Sequence, residues 1–192
     1  MMNQNSRVTT VRFATVSIMC AISCILVLII TIPFPLFPAF RYDLADVPIM
    51  ITTFAFGPVY GVAVTVIVSL IQAFILGQDG LMGFCMHVFA TGAFVISSGL
   101  VYRHRKTKKN AVIALVIGTI VMTLMMCVLN LVLDPIFYGM PRKAVQALIP
   151  AILLFNFSKA GINSLITFLI YKRVSNLIHR AELKPTNSGK RK

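Results

Sequence analysis

Three polar residues lie at helical spacing inside the last long apolar segment, which runs from Ala147 to Tyr171. Asn156, Lys159 and Asn163 are three and four positions apart, so a helix would place them on one face. Lys159 lies near the middle of the segment, where a lysine in a bilayer costs about 2.5–3.5 kcal/mol. We therefore predict that Asn156 and Lys159 bind a ligand. The alternative is a structural ion pair between Lys159 and an aspartate at a helix end or in a loop.

Two other apolar segments carry polar residues on one face. These are Thr123, Asn130 and Asp134 in and just after the segment from Ala111 to Leu133, and His87, Thr91 and Ser98 in the segment from Leu81 to Tyr102. Asparagine often hydrogen-bonds between membrane helices for under about 2 kcal/mol, so packing explains Asn130 equally well. We predict Asn130 and His87 as further ligand contacts. No second histidine or cysteine lies at ligand spacing from His87, so no metal site is predicted.

Aromatic residues and prolines alternate after the first apolar segment. Pro33, Pro35 and Pro38 are interleaved with Phe34, Phe37 and Phe40, and Arg41, Tyr42, Asp43 and Asp46 follow. Because each proline removes a backbone donor and clashes with the preceding turn, a continuous helix is excluded here. The flat apolar side chains predict a lid in which Phe40 and Tyr42 stack on a planar ligand. An aromatic belt at the membrane interface would use the same residue types.

The composition is that of an integral membrane protein. Hydrophobic residues make up 58% of the 192 positions and charged residues 12%, whereas soluble domains carry about a quarter charged residues. The net charge of +13 comes from short basic clusters beside apolar segments, which inner-leaflet lipid explains better than nucleic acid does. The four cysteines lie inside apolar runs and are interpreted as small packing residues. We predict a multi-pass protein of the cell (plasma) membrane.

The basic clusters also set the number of crossings. They lie at the N-terminus, between Arg103 and Lys109, and from Lys172 onward, so an even number of crossings separates them if all are cytoplasmic. Between the first two clusters, Phe13 to Ile32 and Leu81 to Tyr102 supply one crossing each, so the long apolar run from Val47 to Leu76 must supply two, with a turn at Gly57-Pro58. The segments from Ala111 to Leu133 and from Ala147 to Tyr171 complete six. The prediction is an all-α membrane protein with six transmembrane helices, both termini cytoplasmic and a long first extracellular loop.

A single integral membrane domain accounts for residues 1–192, with a basic cytoplasmic tail at 177–192 predicted to be disordered. No nucleotide-binding glycine loop, zinc-protease motif or serine triad is present. The chain is therefore predicted not to be an enzyme, to need no cofactor and not to hydrolyse ATP.

Four segments resemble one membrane protein family. They are Tyr42-Asp43-Leu44-Ala45-Asp46-Val47-Pro48, Phe56-Gly57-Pro58-Val59-Tyr60-Gly61, the run from Val128 to Pro135, and the run from Leu154 to Gly161. Together they resemble the S components of energy-coupling factor (ECF) transporters, and within them the riboflavin-binding RibU group. The resemblance implies a membrane subunit that captures a vitamin, riboflavin in this group, beneath a lid formed by the first loop.

The resemblance also implies roles for individual residues and partners. Asn130, Asn156 and Lys159 would hydrogen-bond the flavin. Small residues on the first helix would dock a shared transmembrane coupling subunit that works with two ATPase subunits, and the matching residues here are Ala14, Ser17 and Ala21.

Two other functions fit the residues less well. An autonomous ion-coupled carrier for a small heterocyclic solute would use Lys159 and Asp134 as a charge relay, and no inverted repeat supports it. An intramembrane enzyme would need a reactive pair, and only His87 near the acid of the fifth helix is conceivable.

Overall fold

Helices make up almost the whole of the structure, a computed structural model that describes residues 4–77 and 79–183. Six α-helices are present in this part of the chain: α1 (Gln4–Ile29), α2 (Asp46–Phe56), α3 (Pro58–Leu70), α4 (Gly80–His104), α5 (Lys108–Tyr138) and α6 (Arg142–Leu183). A π-helical turn, Ile71–Ile75, continues α3 and gives a span of 18 residues from Pro58 to Ile75. Among the described residues, five helical spans are long and apolar enough to cross a membrane, and α2 is shorter.

The helix break predicted at Gly57-Pro58 is present. Gly57 has φ +100°, a backbone conformation that residues with a Cβ rarely adopt, and it ends α2. Pro58 opens α3, where its missing N–H has no helical partner to lose. The long apolar run is therefore divided into two helices, as predicted.

Three predicted helix limits differ from the structure. α1 ends at Ile29, three residues before the predicted limit of Ile32. α5 passes through Pro135 to Tyr138 and ends before Gly139, which has φ +63°. α6 begins at Arg142 and passes through Pro150. Both prolines lie inside membrane helices, where neighbouring helices make the loss of one backbone bond tolerable.

The predicted tail begins inside a helix. α6 continues through residue 177 to Leu183, so this part of the segment predicted to be disordered is helical. Lys172 and Arg173 favour a continued helix, because their unbranched side chains lose little rotamer freedom in helical conformation. Residues 184–192 lie outside the described part of the chain.

The proline-rich loop forms a β-hairpin. Strand β1 (Ile32–Phe34) pairs antiparallel with β2 (Phe37–Tyr42), with Ile32 opposite Tyr42 and a shift in register after Pro33. The prediction that this segment is not helical is confirmed, but its strands were not predicted. Proline fits here because a two-stranded hairpin has only edge strands.

Close contacts between helices use residues without bulk. A Cβ on Gly61 of α3 would clash with Thr53 of α2, and one on Gly118 of α5 would clash with the Phe94 ring of α4. Large apolar side chains such as Leu169, 65% exposed, cover the outside instead. Small residues inside and apolar residues outside are the arrangement expected of helices that pack in lipid.

Candidate ligand-binding site

A cavity of about 530 Å³ lies between the hairpin and helices α3 to α6. This volume is within the usual range for small-molecule sites, about 300–1,000 Å³. Its lining includes five of the six predicted ligand contacts: Phe40, His87, Asn130, Asn156 and Lys159. Methionines and aliphatic side chains make up much of the rest, among them Met82, Met86, Met122, Met126, Leu148 and Ile152.

Lys159 forms an ion pair at this cavity. Its Nζ donates a hydrogen bond of 2.7 Å to Oδ2 of Asp43, which lies just after strand β2. Both residues are less than 10% exposed. The sequence left open a ligand contact and an ion pair with a loop aspartate, and the structure shows the ion pair in a residue that also lines the cavity. The relay partner considered for an ion-coupled carrier was Asp134, whereas the partner here is Asp43.

Asp43 is held as a carboxylate from two sides. On one side the Lys159 ammonium supplies the opposite charge. The backbone N–H of Ala45 donates to Oδ1 at 3.0 Å, and Ser23 of α1 donates to the carbonyl of Ala45. The end of the hairpin is thus bonded to both α1 and α6.

Asp46, the first residue of α2, is a second buried acceptor. It is 0% exposed, and its carboxylate accepts hydrogen bonds of 3.1 Å from Thr91 of α4 and 3.2 Å from Asn163 of α6. His87 Nε2 lies 3.7 Å away, too far for a hydrogen bond. A buried carboxylate with two donors ties the start of α2 to the opposite helices.

Tyr42 contacts α6 through its hydroxyl group. Its hydroxyl donates a 2.9 Å hydrogen bond to Oδ1 of Asn163, and Asn163 Nδ2 donates to the backbone carbonyl of Asp43. Within the described chain, the lining of the cavity does not include Tyr42. The ring therefore supports the hairpin in this structure, and its stacking on a ligand stays a prediction.

Asn130 and Asn156 both line the cavity, and each is held by its own helix in the same way. Each Nδ2 donates to the carbonyl four residues earlier in its own helix, Met126 at 2.7 Å and Ile152 at 2.9 Å. These bonds fix the orientation of the amide groups, and in the described part of the chain neither amide is bonded to another helix. Each amide oxygen is left as an acceptor for an N–H or O–H group of a ligand.

Aromatic rings cover one side of the cavity. Phe40 stacks on Phe155 of α6, with ring centroids 5.0 Å apart and an angle of 19° between the planes. Phe34 of β1 meets the same Phe155 ring edge-on at 5.3 Å. Phe40 and Phe155 both line the cavity, so the hairpin supplies flat apolar surface beside the polar groups.

His87 and the small residues of α1 complete the predicted set. The His87 ring accepts from or donates to Ser69 Oγ through Nδ1 at 2.8 Å, which fixes the ring at the cavity wall. Among the described residues, no group of three His, Cys, Asp or Glu side chains is placed to hold a metal ion. Ala14, Ser17 and Ala21 are all exposed on the outer face of α1, away from the cavity.

Sequence reasoning missed several residues of the site. Asp43 and Asp46 were named only in the non-helical loop and in the family motif, and Gln72 was given no role although it lines the cavity. The signal for the two aspartates was available, because buried carboxylates beside a membrane lysine are expected to pair with it. Gln72 offered only its helical spacing of three residues from Ser69.

Comparison with known proteins identifies relatives over most of the chain. The family model of the ECF transporter substrate-specific component matches residues 11–171. The riboflavin transporter RibU of Staphylococcus aureus is 30% identical over 88% of this chain and 93% of that protein. The riboflavin transporter FmnP of Bacillus subtilis is 27% identical over 88% of this chain and 94% of that protein. A solved structure of the S component of a bacterial ECF transporter superposes with a TM-score of 0.73 at 32% identity, covering 88% of this chain and 98% of the other.

Proposed function

The chain belongs to the family of ECF transporter substrate-specific components, and we propose that it is the substrate-binding membrane subunit of an importer for riboflavin. Two relatives that match most of its length are riboflavin transporters. The observation that carries the proposal is the cavity in which Phe40, Asn130, Asn156 and Lys159 converge. The chain is a multi-pass plasma-membrane protein and a transporter component, not an enzyme, and riboflavin is its transported ligand rather than a cofactor.

The chemistry of the cavity suits the flavin ring. The ring is planar and largely apolar, which matches the stacked Phe40 and Phe155. One edge of the ring carries an N–H between two carbonyl groups, so it offers a donor to the oxygens of Asn130 or Asn156 and acceptors to the Lys159 ammonium. Lys159 retains donors for this purpose, because an ammonium has three and Asp43 takes one.

The hairpin is proposed as the lid over this cavity. Tyr42 and Asp43, at the end of the hairpin, contact Lys159 and Asn163 of α6, and each contact is a hydrogen bond that separation of the hairpin would break. Ligand entry requires such a separation or a path beside the hairpin. Restoring these bonds over a bound flavin would exclude water from the polar groups.

Six crossings with both termini in the cytoplasm are proposed as the topology. α2 has 11 residues and is about 16 Å long, too short for a hydrocarbon core of about 30 Å. The residues before α2 lengthen this membrane crossing, since Asp43 and Ala45 are buried within the bundle. Non-helical backbone is tolerated at membrane depth where protein covers it.

The exposed face of α1 is proposed as the docking surface for a shared transmembrane coupling subunit, itself joined to two ATPase subunits. Ala14, Ser17 and Ala21 provide a surface of small side chains on which another helix could approach closely. The chain needs such partners because its sequence holds no nucleotide-binding loop.

Titration of the purified protein with riboflavin tests the proposed substrate. We expect saturable quenching of flavin fluorescence at one flavin per chain. Asn156→Leu should weaken riboflavin binding by about tenfold, because the amide that hydrogen-bonds the flavin is lost and an apolar side chain faces the polar edge of the ring. Ser97→Ala is the matched control, because the Ser97 hydroxyl bonds carbonyl groups of its own helix α4. Absence of quenching by the parent protein would exclude riboflavin and leave family membership unaffected.

A further inference from the structure

Gln72 is buried at the cavity with an unused donor. The residue is 5% exposed, and its Nε2 has no hydrogen-bond partner among the described residues. A buried amide without a partner is unfavourable, so such groups in folded proteins usually meet a water, an ion or a ligand. Gln72 lines the cavity, so a molecule in that cavity can supply the missing acceptor.

The backbone at Gln72 is also unusual. The residue lies in the π-helical turn Ile71–Ile75, in which Leu76 N donates to the carbonyl of Ile71 five residues earlier. Such a turn inserts one extra residue and redirects the side chains that follow it, and π-turns are frequent at functional sites. The turn occurs where α3 passes the cavity, between Ser69 and Asp79, two further lining residues.

The polar groups of the cavity fall on two walls with different character. The wall of α5 and α6 presents the amide oxygens of Asn130 and Asn156 and the Lys159 ammonium, which suit the edge of a flavin ring. The wall of α3 and α4 presents Ser69, His87 and Gln72, and Ser69 is already bonded to His87. Among the described residues of this wall, Gln72 Nε2 and His87 Nε2 have no hydrogen-bond partner. An amide nitrogen is always a donor, whereas Nε2 of a neutral imidazole can be an acceptor, so Gln72 is the group with a donor in need of an acceptor.

We infer that Gln72 binds the hydroxylated side chain of the flavin, donating from Nε2 to a hydroxyl oxygen of the ribityl group. The inference rests on the proposed function and assigns a part of the ligand to each wall. If α5 and α6 hold the flavin ring, its ribityl group extends across the cavity toward α3. A ribityl hydroxyl oxygen would then accept the hydrogen bond that Gln72 Nε2 has to donate. Gln72 thus distinguishes a flavin with a polyol chain from the bare ring.

Two flavins separate this role from a merely structural one. Lumiflavin has the same ring with a methyl group in place of the ribityl chain, and both compounds fluoresce. We expect the parent protein to bind riboflavin more tightly than lumiflavin. Gln72→Met, which keeps the length of the side chain and removes its donor, should bind riboflavin about five- to tenfold more weakly with little change for lumiflavin. Gln72→Glu also removes the donor and should lose affinity for riboflavin selectively.

Asn130→Leu is the matched comparison, because it alters the wall assigned to the ring and should weaken binding of both flavins. Lumiflavin binding also reports that each variant is folded. An equal loss for both ligands in Gln72→Met, or no loss for either, would overturn the inference. Equal affinity of the parent for the two flavins would also overturn it, while leaving the proposed riboflavin function intact. A parent protein that binds neither flavin would overturn both.

Discussion

The Lys159 ammonium of α6 lies 2.7 Å from the Asp43 carboxylate at the end of the hairpin, although the two residues are 116 positions apart. The contact joins the predicted lid to the predicted ligand-binding helix. It also changes what a substitution at Lys159 would do. Removal of the ammonium alone leaves a buried carboxylate without its partner, so an effect on stability must be separated from an effect on binding.

The first prediction concerns stability. Lys159→Met should destabilise the protein by about 3–5 kcal/mol, because Asp43 would remain as a buried charge. Combining it with Asp43→Asn removes both charges, and the double variant should recover most of the lost stability. Thermal unfolding of the parent, both single variants and the double variant in detergent would measure this. A double variant no more stable than Lys159→Met would contradict the coupling.

The second prediction uses the double variant to test binding. With the charge pair removed and the fold retained, the loss of the Lys159 ammonium should weaken riboflavin binding at least about tenfold, since a hydrogen bond to a charged group contributes about 1.5–3 kcal/mol. Fluorescence quenching gives the affinity directly. If the double variant binds as tightly as the parent, Lys159 serves only to hold the hairpin.

Local sequence patterns were sufficient for some parts of the fold. The break at Gly57-Pro58 was predictable because glycine and proline each have a strong local effect on the backbone. The polar face of α6 was predictable because helical spacing alone places Asn156 near Lys159. In contrast, the pairing of Lys159 with Asp43 depends on how the hairpin folds back over α6. No local sequence pattern predicts a contact between residues so far apart in the chain.

Other features depend on tertiary contacts for a different reason. The passage of α5 through Pro135 contradicts the local tendency of proline to end a helix, and only packing within the bundle makes it tolerable. Phe40 and Tyr42 are both aromatic residues of strand β2. Phe40 nevertheless lines the cavity, whereas the Tyr42 hydroxyl donates a hydrogen bond to Asn163. Residue type gave no means of telling these two roles apart.

The third prediction concerns the outer face of α1. Replacing Ser17 and Ala21 with tryptophan should abolish riboflavin uptake in cells while the purified variant still binds riboflavin, because bulk on this exposed face blocks close helix approach without reaching the cavity. Ile120→Trp, at an exposed apolar position of α5, is the control and should leave uptake unchanged. Loss of binding together with uptake would place Ser17 and Ala21 in the fold or the site instead.

The fourth prediction concerns topology. In a chain without other cysteines, Val59→Cys and Asp79→Cys place one thiol near each end of the span from Pro58 to Ile75, and both positions are exposed. An impermeant thiol reagent added to intact cells should label position 79 and should reach position 59 only after the membrane is opened. Labelling of both positions from outside would show that α2 and α3 do not form two crossings.

The electrostatic character of the cavity bears on the choice between riboflavin and its phosphate. Three carboxylates, Asp43, Asp79 and Asp134, line it together with two cations, Arg41 and Lys159. Asp43 and Lys159 neutralise each other in their ion pair, so two acids remain against one arginine. A flavin phosphate adds a charge of about −1.5 to −2 at neutral pH and would be repelled by this excess.

The fifth prediction follows from that excess of acid. Asp134 is 6% exposed, and with little water to screen it a charge several ångströms away is worth about 1 kcal/mol or more. The parent should therefore bind riboflavin more tightly than its phosphate, and Asp134→Asn should narrow that preference roughly three- to tenfold by improving binding of the phosphate. Asp134→Glu keeps the charge and should keep the preference. Competition between the two flavins in the quenching assay measures the ratio, and an unchanged ratio in Asp134→Asn would show that Asp134 does not act on the ligand's charge.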